Sequence, residues 1–199
     1  MYQRLLAAGL LLSLAGSGVT PPAVQTQGGA WQCDGSPLVL SQSQPTDTVS
    51  LAWLTPPGIG PCWRGVVEAG PYPGRTGLRC GSDKTGQGGC TIELNGGDAP
   101  ALVLRAPDGT VLWQDAGVGW YAYTPVWLEA VLEPTRVRAQ MLAADGRELL
   151  AQSPWIPVAT AADGAAGSLA AFAVANTARF TLLQRADRPL ADYTPNNPS

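Results

Sequence analysis

VWLEAVLEPTRVRAQMLAADGRELLA, residues 126–151, carries the clearest structural pattern in the chain. Over Val126–Glu133, Val126, Leu128, Ala130 and Leu132 fall on one side of an extended chain. Trp127, Glu129, Val131 and Glu133 fall on the other. Thr135–Ala143 repeats the alternation, with Val137, Ala139 and Met141 opposed by Arg136, Arg138 and Gln140. A period of two is the mark of half-buried strands, one face on a core and one toward water. The Asp145-Gly146 pair that follows supplies the positive φ angles of a tight hairpin.

The same pattern recurs on either side of this stretch. Asp108-Gly109 joins two apolar runs in LVLRAPDGTVLW, and short alternating stretches lie at Pro37–Gln42, Thr48–Leu54, Arg64–Glu68, Cys90–Leu94, Ala101–Ala106 and Thr110–Gln114. A weaker hairpin-like copy, TLLQRADRPLADY, closes the chain around Asp187. With 18 prolines and 24 glycines, long helices are hard to place. Ser168–Asn176, SLAAFAVAN, can be read as a capped helix or as a strand turning at Asn176-Thr177, and its surroundings favour the strand.

The expected fold class is therefore all-β: an antiparallel β-sandwich, immunoglobulin-like or related, with room for a smaller disulfide-bonded β-region on the N-terminal side. The expected organisation is a signal peptide at 1–18, a cysteine-containing β-region at 19–95, a sandwich region at 96–193 and a tail at 194–199. The stretch LNGGDAP, Leu94–Pro100, is the natural cut, and one core shared by both regions is the alternative.

The chain opens MYQRLLAAGLLLSLAGSG: Arg4, an apolar run from Leu5 to about Ala15, then small residues. That is the layout of a secretory signal, too short to span a bilayer as a permanent anchor. The expected location is secreted, periplasmic or cell-surface. About 180 residues follow, enough to bury a core without help from a metal. The formal net charge of −3, with no basic run, argues against nucleic acid and anionic membrane surfaces as partners.

An exported chain with four cysteines, Cys33, Cys62, Cys80 and Cys90, is expected to form two disulfides. The preferred pairing is Cys80–Cys90, around the loop GSDKTGQGG, with Cys33–Cys62. Trp63 reads as a ring packed on the second bridge. Neither CxxC nor a Cys/His mixture occurs, so no metal site is expected.

The chain has no histidine, which removes Ser-His-Asp and Cys-His chemistry and every His-ligated metal or haem site. Lys84 is the one lysine, in a glycine-rich loop unsuited to lowering its pKa. No catalytic residue and no cofactor is assigned. Chemistry on carboxylates alone stays open, since glycan hydrolysis needs two acids about 5–10 Å apart. Glu129 and Glu133 are about 13 Å apart along one strand, too far for a retaining pair, whereas Glu68 or Glu93 could meet a distant aspartate.

The remaining signal is aromatic. Trp113, Trp120, Tyr121, Tyr123 and Trp127 crowd into fifteen residues around GWYAYTPVW. Trp120, Tyr121, Tyr123 and Trp127 form the candidate interaction surface, able to anchor a protein or stack on sugar rings, while a tryptophan-rich core is the simpler reading of them. The leading expectation is a non-catalytic envelope or extracellular β-domain whose partner is another protein. The alternatives are a carbohydrate-binding module using these aromatics and a carboxylate-only glycan hydrolase.

Overall fold

The computed structural model describes residues 23–56, 58–83, 88–97, 100–158 and 167–191. The expected signal peptide, the tail 194–199 and Lys84 lie outside the described residues. Among those described, every regular element is a strand. In chain order these are β1 (Gln25–Gln27), β2 (Trp31–Asp34), β3 (Val39–Gln42), β4 (Ser50–Leu54), β5 (Cys62–Ala69), β6 (Arg75–Ser82), β7 (Cys90–Asn95) and β8 (Ala101–Arg105). They continue as β9 (Val111–Asp115), β10 (Val126–Glu133), β11 (Arg136–Ala143), β12 (Leu149–Gln152), β13 (Ile156–Pro157), β14 (Ser168–Val174) and β15 (Ala178–Ala186).

Two antiparallel sheets stack into a sandwich. One has the order β1-β4-β14-β6-β7-β8-β9; the other runs β12-β11-β10-β5-β15-β3-β2, with β13 also on β11. The alternation read from the sequence sets the faces. Val126, Leu128, Ala130 and Leu132 of β10 and Val137, Ala139 and Met141 of β11 enter the core, where they meet Leu78, Ile92, Leu94, Leu102 and Leu104 of the opposite sheet. Asp108-Gly109 and Asp145-Gly146 turn β8 into β9 and β11 into β12. Gly109 and Gly146 have φ of 88° and 70°, and each donates its N–H three residues back, to Ala106 and Ala143. Ser168–Val174 is a strand, as its surroundings suggested.

The sandwich does not divide at Leu94–Pro100. That stretch joins β7 to β8, which are neighbours in one sheet. Strands from 19–95 and 96–193 interleave in both sheets, and Leu40 and Leu183 belong to the same core. Two strands near the C-terminus do most of the interleaving: β14 lies between β4 and β6, and β15 lies between β5 and β3. The connection between them crosses from sheet to sheet at residues 175–177. Ala175 donates its N–H to the Thr46 carbonyl at 2.6 Å, and Gly70 donates to Thr177 at 2.8 Å. In β15 a bulge between Thr181 and Gln184 directs Leu183 into the core over Gly65, where a Cβ would stand 2.4 Å from Leu183 Cδ2.

The expected bridge between Cys33 and Cys62 is not formed. Cys33 is a free thiol on the edge strand β2, whereas Cys62 is buried in the central strand β5. β3 and β15 lie between those strands. Three strand spacings of about 4.8 Å exceed the Cα separation of about 7 Å that a disulfide tolerates. Cys80 and Cys90, also thiols here, are buried register partners on β6 and β7. Burial pushes the Cys90 thiol up to about 12 and the Cys80 thiol well above its ordinary value. Trp63 carries no bridge; the Arg185 guanidinium lies 4.3 Å from its ring centroid.

On the outer face of the second sheet, residues 188–191 form a strap over Glu129. Leu190 donates its N–H to the Glu129 carboxylate at 3.0 and 3.3 Å, and Arg64 Nη1 reaches it at 3.2 Å. Gln140 Nε2 donates to the Ala191 carbonyl at 3.1 Å. Burial pushes the Glu129 carboxyl above its ordinary value of 4.5, outweighing the opposing pull of the Leu190 amide and Arg64.

Two tests follow from this packing. Ala175 has φ of 49°, the left-handed region that costs an L-residue about 1–2 kcal/mol. Ala175→Gly is therefore expected to hold or raise stability, by up to about 1 kcal/mol. Ala173→Gly inside β14 is expected to lower it, both read from urea midpoints. A carboxyl raised by folding contributes fully below its unfolded value, 4.5, and the contribution is lost as pH rises through the folded value. Glu129→Gln lacks this dependence, so its stability relative to the parent should rise as pH increases above 4.5. A constant difference would show that Glu129 titrates alike in both states.

Candidate functional site

The outer face of the first sheet is not the uniformly polar surface expected of a solvated sheet. Residues paired in register point to the same side, so its layers can be read directly. One layer runs Trp53, Ala170, Arg79, Thr91, Arg105 across β4, β14, β6, β7 and β8. The next runs Leu51, Phe172, Gly77, Glu93, Val103, and a third contains Val174, Arg75, Asn95 and Ala101. One half is apolar, with Leu51, Trp53, Ala170 and Phe172 forming a small cluster of their own. The other half carries three arginines around one glutamate.

Glu93 is 0% exposed, yet it faces away from the main core. Its carboxylate accepts from Arg105 Nε at 2.6 Å and from Arg75 Nη1 at 3.4 Å. A buried carboxylate is tolerable only when paired and hydrogen-bonded, and these two guanidinium groups supply that compensation from opposite corners. Arg105 Nη1 also donates to the Gly109 carbonyl at 3.1 Å, tying the pair to the β8–β9 turn. In that turn Thr110 donates its N–H to Asp108 at 2.9 Å, which holds the exposed Asp108 carboxyl below its ordinary range.

Arg79 stands on the other side of Gly77 from Arg75, across β6 from Thr91. Its guanidinium has no ion-pair partner among the described residues, and its own burial lowers its pKa. Gly77, the register partner of Glu93, places no side chain between the two arginines. A Cβ there would stand 2.1 Å from the Ile92 carbonyl oxygen, so the close approach of β6 to β7 requires glycine.

A cavity of about 220 Å³ lies over this arrangement. Arg75, Arg79, Arg105, Thr91 and Glu93 form its polar wall, Asp108 and Gly109 its rim, and Val49, Phe172 and Val174 its apolar side. It is smaller than the roughly 300–1,000 Å³ of a pocket for drug-sized ligands. It offers donors on rigid strands, the carboxylates of Glu93 and Asp108, a hydroxyl and an apolar wall, which is equipment for holding a small polyhydroxylated or anionic group. Among the described residues no group of His, Cys, Asp and Glu is arranged to hold a metal ion.

The residues singled out from the sequence lie elsewhere. Trp120 and Trp127 are each 8% exposed. Trp120 belongs to the main core, and Trp127 packs beneath the β11–β12 turn, with the Cβ position of Gly146 3.3 Å from its Nε1. Tyr121 and Tyr123 are 74% and 65% exposed, on the loop before β10, so the four aromatics form no single platform. The acids considered for hydrolysis are each matched to arginine: Glu129 with Arg64, Glu133 with Arg136, Glu68 with Arg179 and Glu93 with Arg75 and Arg105. The arginine cluster was not anticipated. The signal available was the alternation of Arg75, Gly77 and Arg79 against Thr76, Leu78 and Cys80.

No protein-family model and no curated protein matches the sequence. Solved structures do share the architecture. The carbohydrate-binding module CBM66 of Bacillus subtilis superposes with a TM-score of 0.58 at 14% identity, covering 81% of this chain and 93% of that one. A Bacillus subtilis protein of unknown function with a galectin-like fold gives 0.52 at 14% identity, over 79% and 86%. The exoplasmic/lumenal domain of VIP36, in its Ca2+/Man3GlcNAc-bound form, gives 0.50 at 12% identity, over 87% and 88%. These likenesses show the fold: an all-β antiparallel two-sheet sandwich, shared with a protein of galectin-like fold.

Proposed function

We propose that this chain is a non-catalytic carbohydrate-binding β-domain that recognises a glycan at the cavity over β6, β7 and β8. The observation that carries the reading is the pairing of a fixed Arg75–Glu93–Arg105 array with the apolar side made by Phe172 and Val174. A sugar presents hydroxyl groups around its edge and C–H bonds on its faces. It is held by a few convergent polar groups beside an apolar surface. A fold held in common with a carbohydrate-binding module and a glycan-bound lumenal domain supports the same reading by analogy.

A glycan array followed by calorimetry tests it. Arg75→Ala and Thr91→Val are expected to weaken the best ligand about tenfold or more, about 1.4 kcal/mol or above. Tyr121→Ala and Tyr123→Ala are expected to leave it unchanged. Loss on the tyrosine variants alone would move recognition to the loop before β10, and no glycan bound at all would overturn the proposal.

We further propose that the chain is exported, on the N-terminal sequence pattern, and that an oxidising compartment joins Cys80 to Cys90. Their direct register across β6 and β7 supports this pairing. Peptide mapping of the native protein without reductant is expected to recover Cys80 linked to Cys90, with Cys33 and Cys62 in separate peptides. Recovery of both cysteines as thiols from the exported protein would refute it.

A further inference from the structure

We infer that the glycan recognised at this cavity is acidic, a hexuronate-containing saccharide whose carboxylate docks on the Arg79 guanidinium. The inference rests on the carbohydrate-binding reading above and deepens it.

Charge is the first argument. The chain as a whole is net negative, at −3, yet the cavity is lined by three guanidinium groups against the two carboxylates of Glu93 and Asp108. One positive charge is left over where a ligand would sit. That excess matches a monoanion, whereas a phosphate dianion would exceed it and face Glu93.

The second argument is which arginine is uncommitted. Arg75 and Arg79 stand two residues to either side of Gly77, the register partner of Glu93, so both are diagonal neighbours of that carboxylate. Arg75 makes the ion pair, Arg105 completes it from β8, and Arg79 makes none with any described residue. A half-buried guanidinium without a counter-ion is an unfavourable arrangement that an incoming anion relieves. The planar fork matches a carboxylate in a bidentate geometry and is less strongly hydrated than an ammonium group.

The third argument is the surroundings. Thr91, paired with Arg79 across β6 and β7, offers a hydroxyl beside the expected carboxylate. Phe172 and Val174 furnish the apolar side against which the ring carbons of the same sugar could lie. One uronate residue would thus use Arg79 for its carboxylate, Thr91 and the Glu93 array for hydroxyls, and the β14 side chains for its face.

The test uses the full mature chain and ligands that differ only in charge. Oligomers of polygalacturonate, alginate and hyaluronan are titrated beside neutral galactan, mannan and cello-oligosaccharides, and polygalacturonate beside its fully methyl-esterified form. At least one uronate oligomer is expected to bind tenfold or more tighter than every neutral one. That binding should weaken as salt is raised. For a galacturonate ligand, esterification should abolish the preference without any substitution in the protein. Arg79→Gln is expected to remove the preference for acid, and Arg79→Lys, which keeps the charge but loses the fork, to restore it only in part. Neutral oligomers binding as tightly as acidic ones, with Arg75→Ala still weakening them, would overturn the uronate assignment and leave the carbohydrate reading standing. Binding of sulfated galactan with no uronate bound would also overturn it. If no saccharide of either kind binds, both readings fall.

Discussion

The insertion of β14 and β15 into the middle of the two sheets holds the sandwich together. Each supplies hydrogen bonds to strands that lie far earlier in the chain: β14 to β4 and β6, β15 to β5 and β3. Without them the first sheet separates into β1-β4 and β6-β7-β8-β9, and the second loses β2 and β3 from its edge. Such non-local pairing must overcome loop-closure entropy before its contacts form. The crossing at 175–177 is accordingly tied down by bonds to Thr46 and Gly70, and Ala175 is held there in a conformation alanine rarely adopts. The same insertion sets β14, with Phe172 and Val174, beside the arginines of β6. The site is a product of the topology as much as of its own residues.

The two sheets treat a buried outward-facing glutamate in opposite ways. Glu129 and Glu93 are both fully buried, both on central strands, and both matched to arginine. Over Glu129 the chain lays its own strap, and the Leu190 amide completes the coordination. Over Glu93 there is instead a cavity with an additional guanidinium on its wall. Identical chemistry is closed by the protein in one place and presented beside an opening in the other. The sealed glutamate is structural, because its oxygens are consumed internally. The array beside the cavity has in Arg79 a guanidinium with no ion-pair partner among the described residues.

Much of the framework was legible in the sequence because each signal was local. The alternation of Val126–Glu133 and Arg136–Ala143 and the two Asp-Gly turns all depend on neighbours a few residues away, and they appear where expected. β6 was not among the stretches read as strands: its outward positions include Arg75, Gly77 and Arg79, and a glycine inside a strand weakens the local signal. The site could not be read, because Arg79, Thr91 and Arg105 become neighbours only through the register of three strands. The aromatic run misled for a related reason. Adjacent residues such as Trp120 and Tyr121 differ wholly in exposure, and only the packing decides which one is buried. The Cys33–Cys62 pairing failed likewise, since short separation in sequence says nothing of the two strands that lie between.

Binding rather than turnover is the use to which this geometry is best suited. The Arg75–Glu93–Arg105 array sits on three adjacent strands whose register is fixed by backbone hydrogen bonds, and the close approach of β6 to β7 at Gly77 limits how far those strands can move. Rigid, pre-paired groups lose little entropy when a ligand arrives, which favours affinity. A general acid must instead be free to hold a proton near the operating pH and release it. Within the cavity Asp108 is drawn toward its ionised form by the Thr110 amide, and Glu93 commits its oxygens to two guanidinium groups. Among the described residues, the carboxyl that burial pushes upward, Glu129, lies on the opposite sheet under the strap. Among the described residues, the carboxyl raised by burial and the open cavity thus lie on different faces of the sandwich, which supports the binding reading proposed for the cavity.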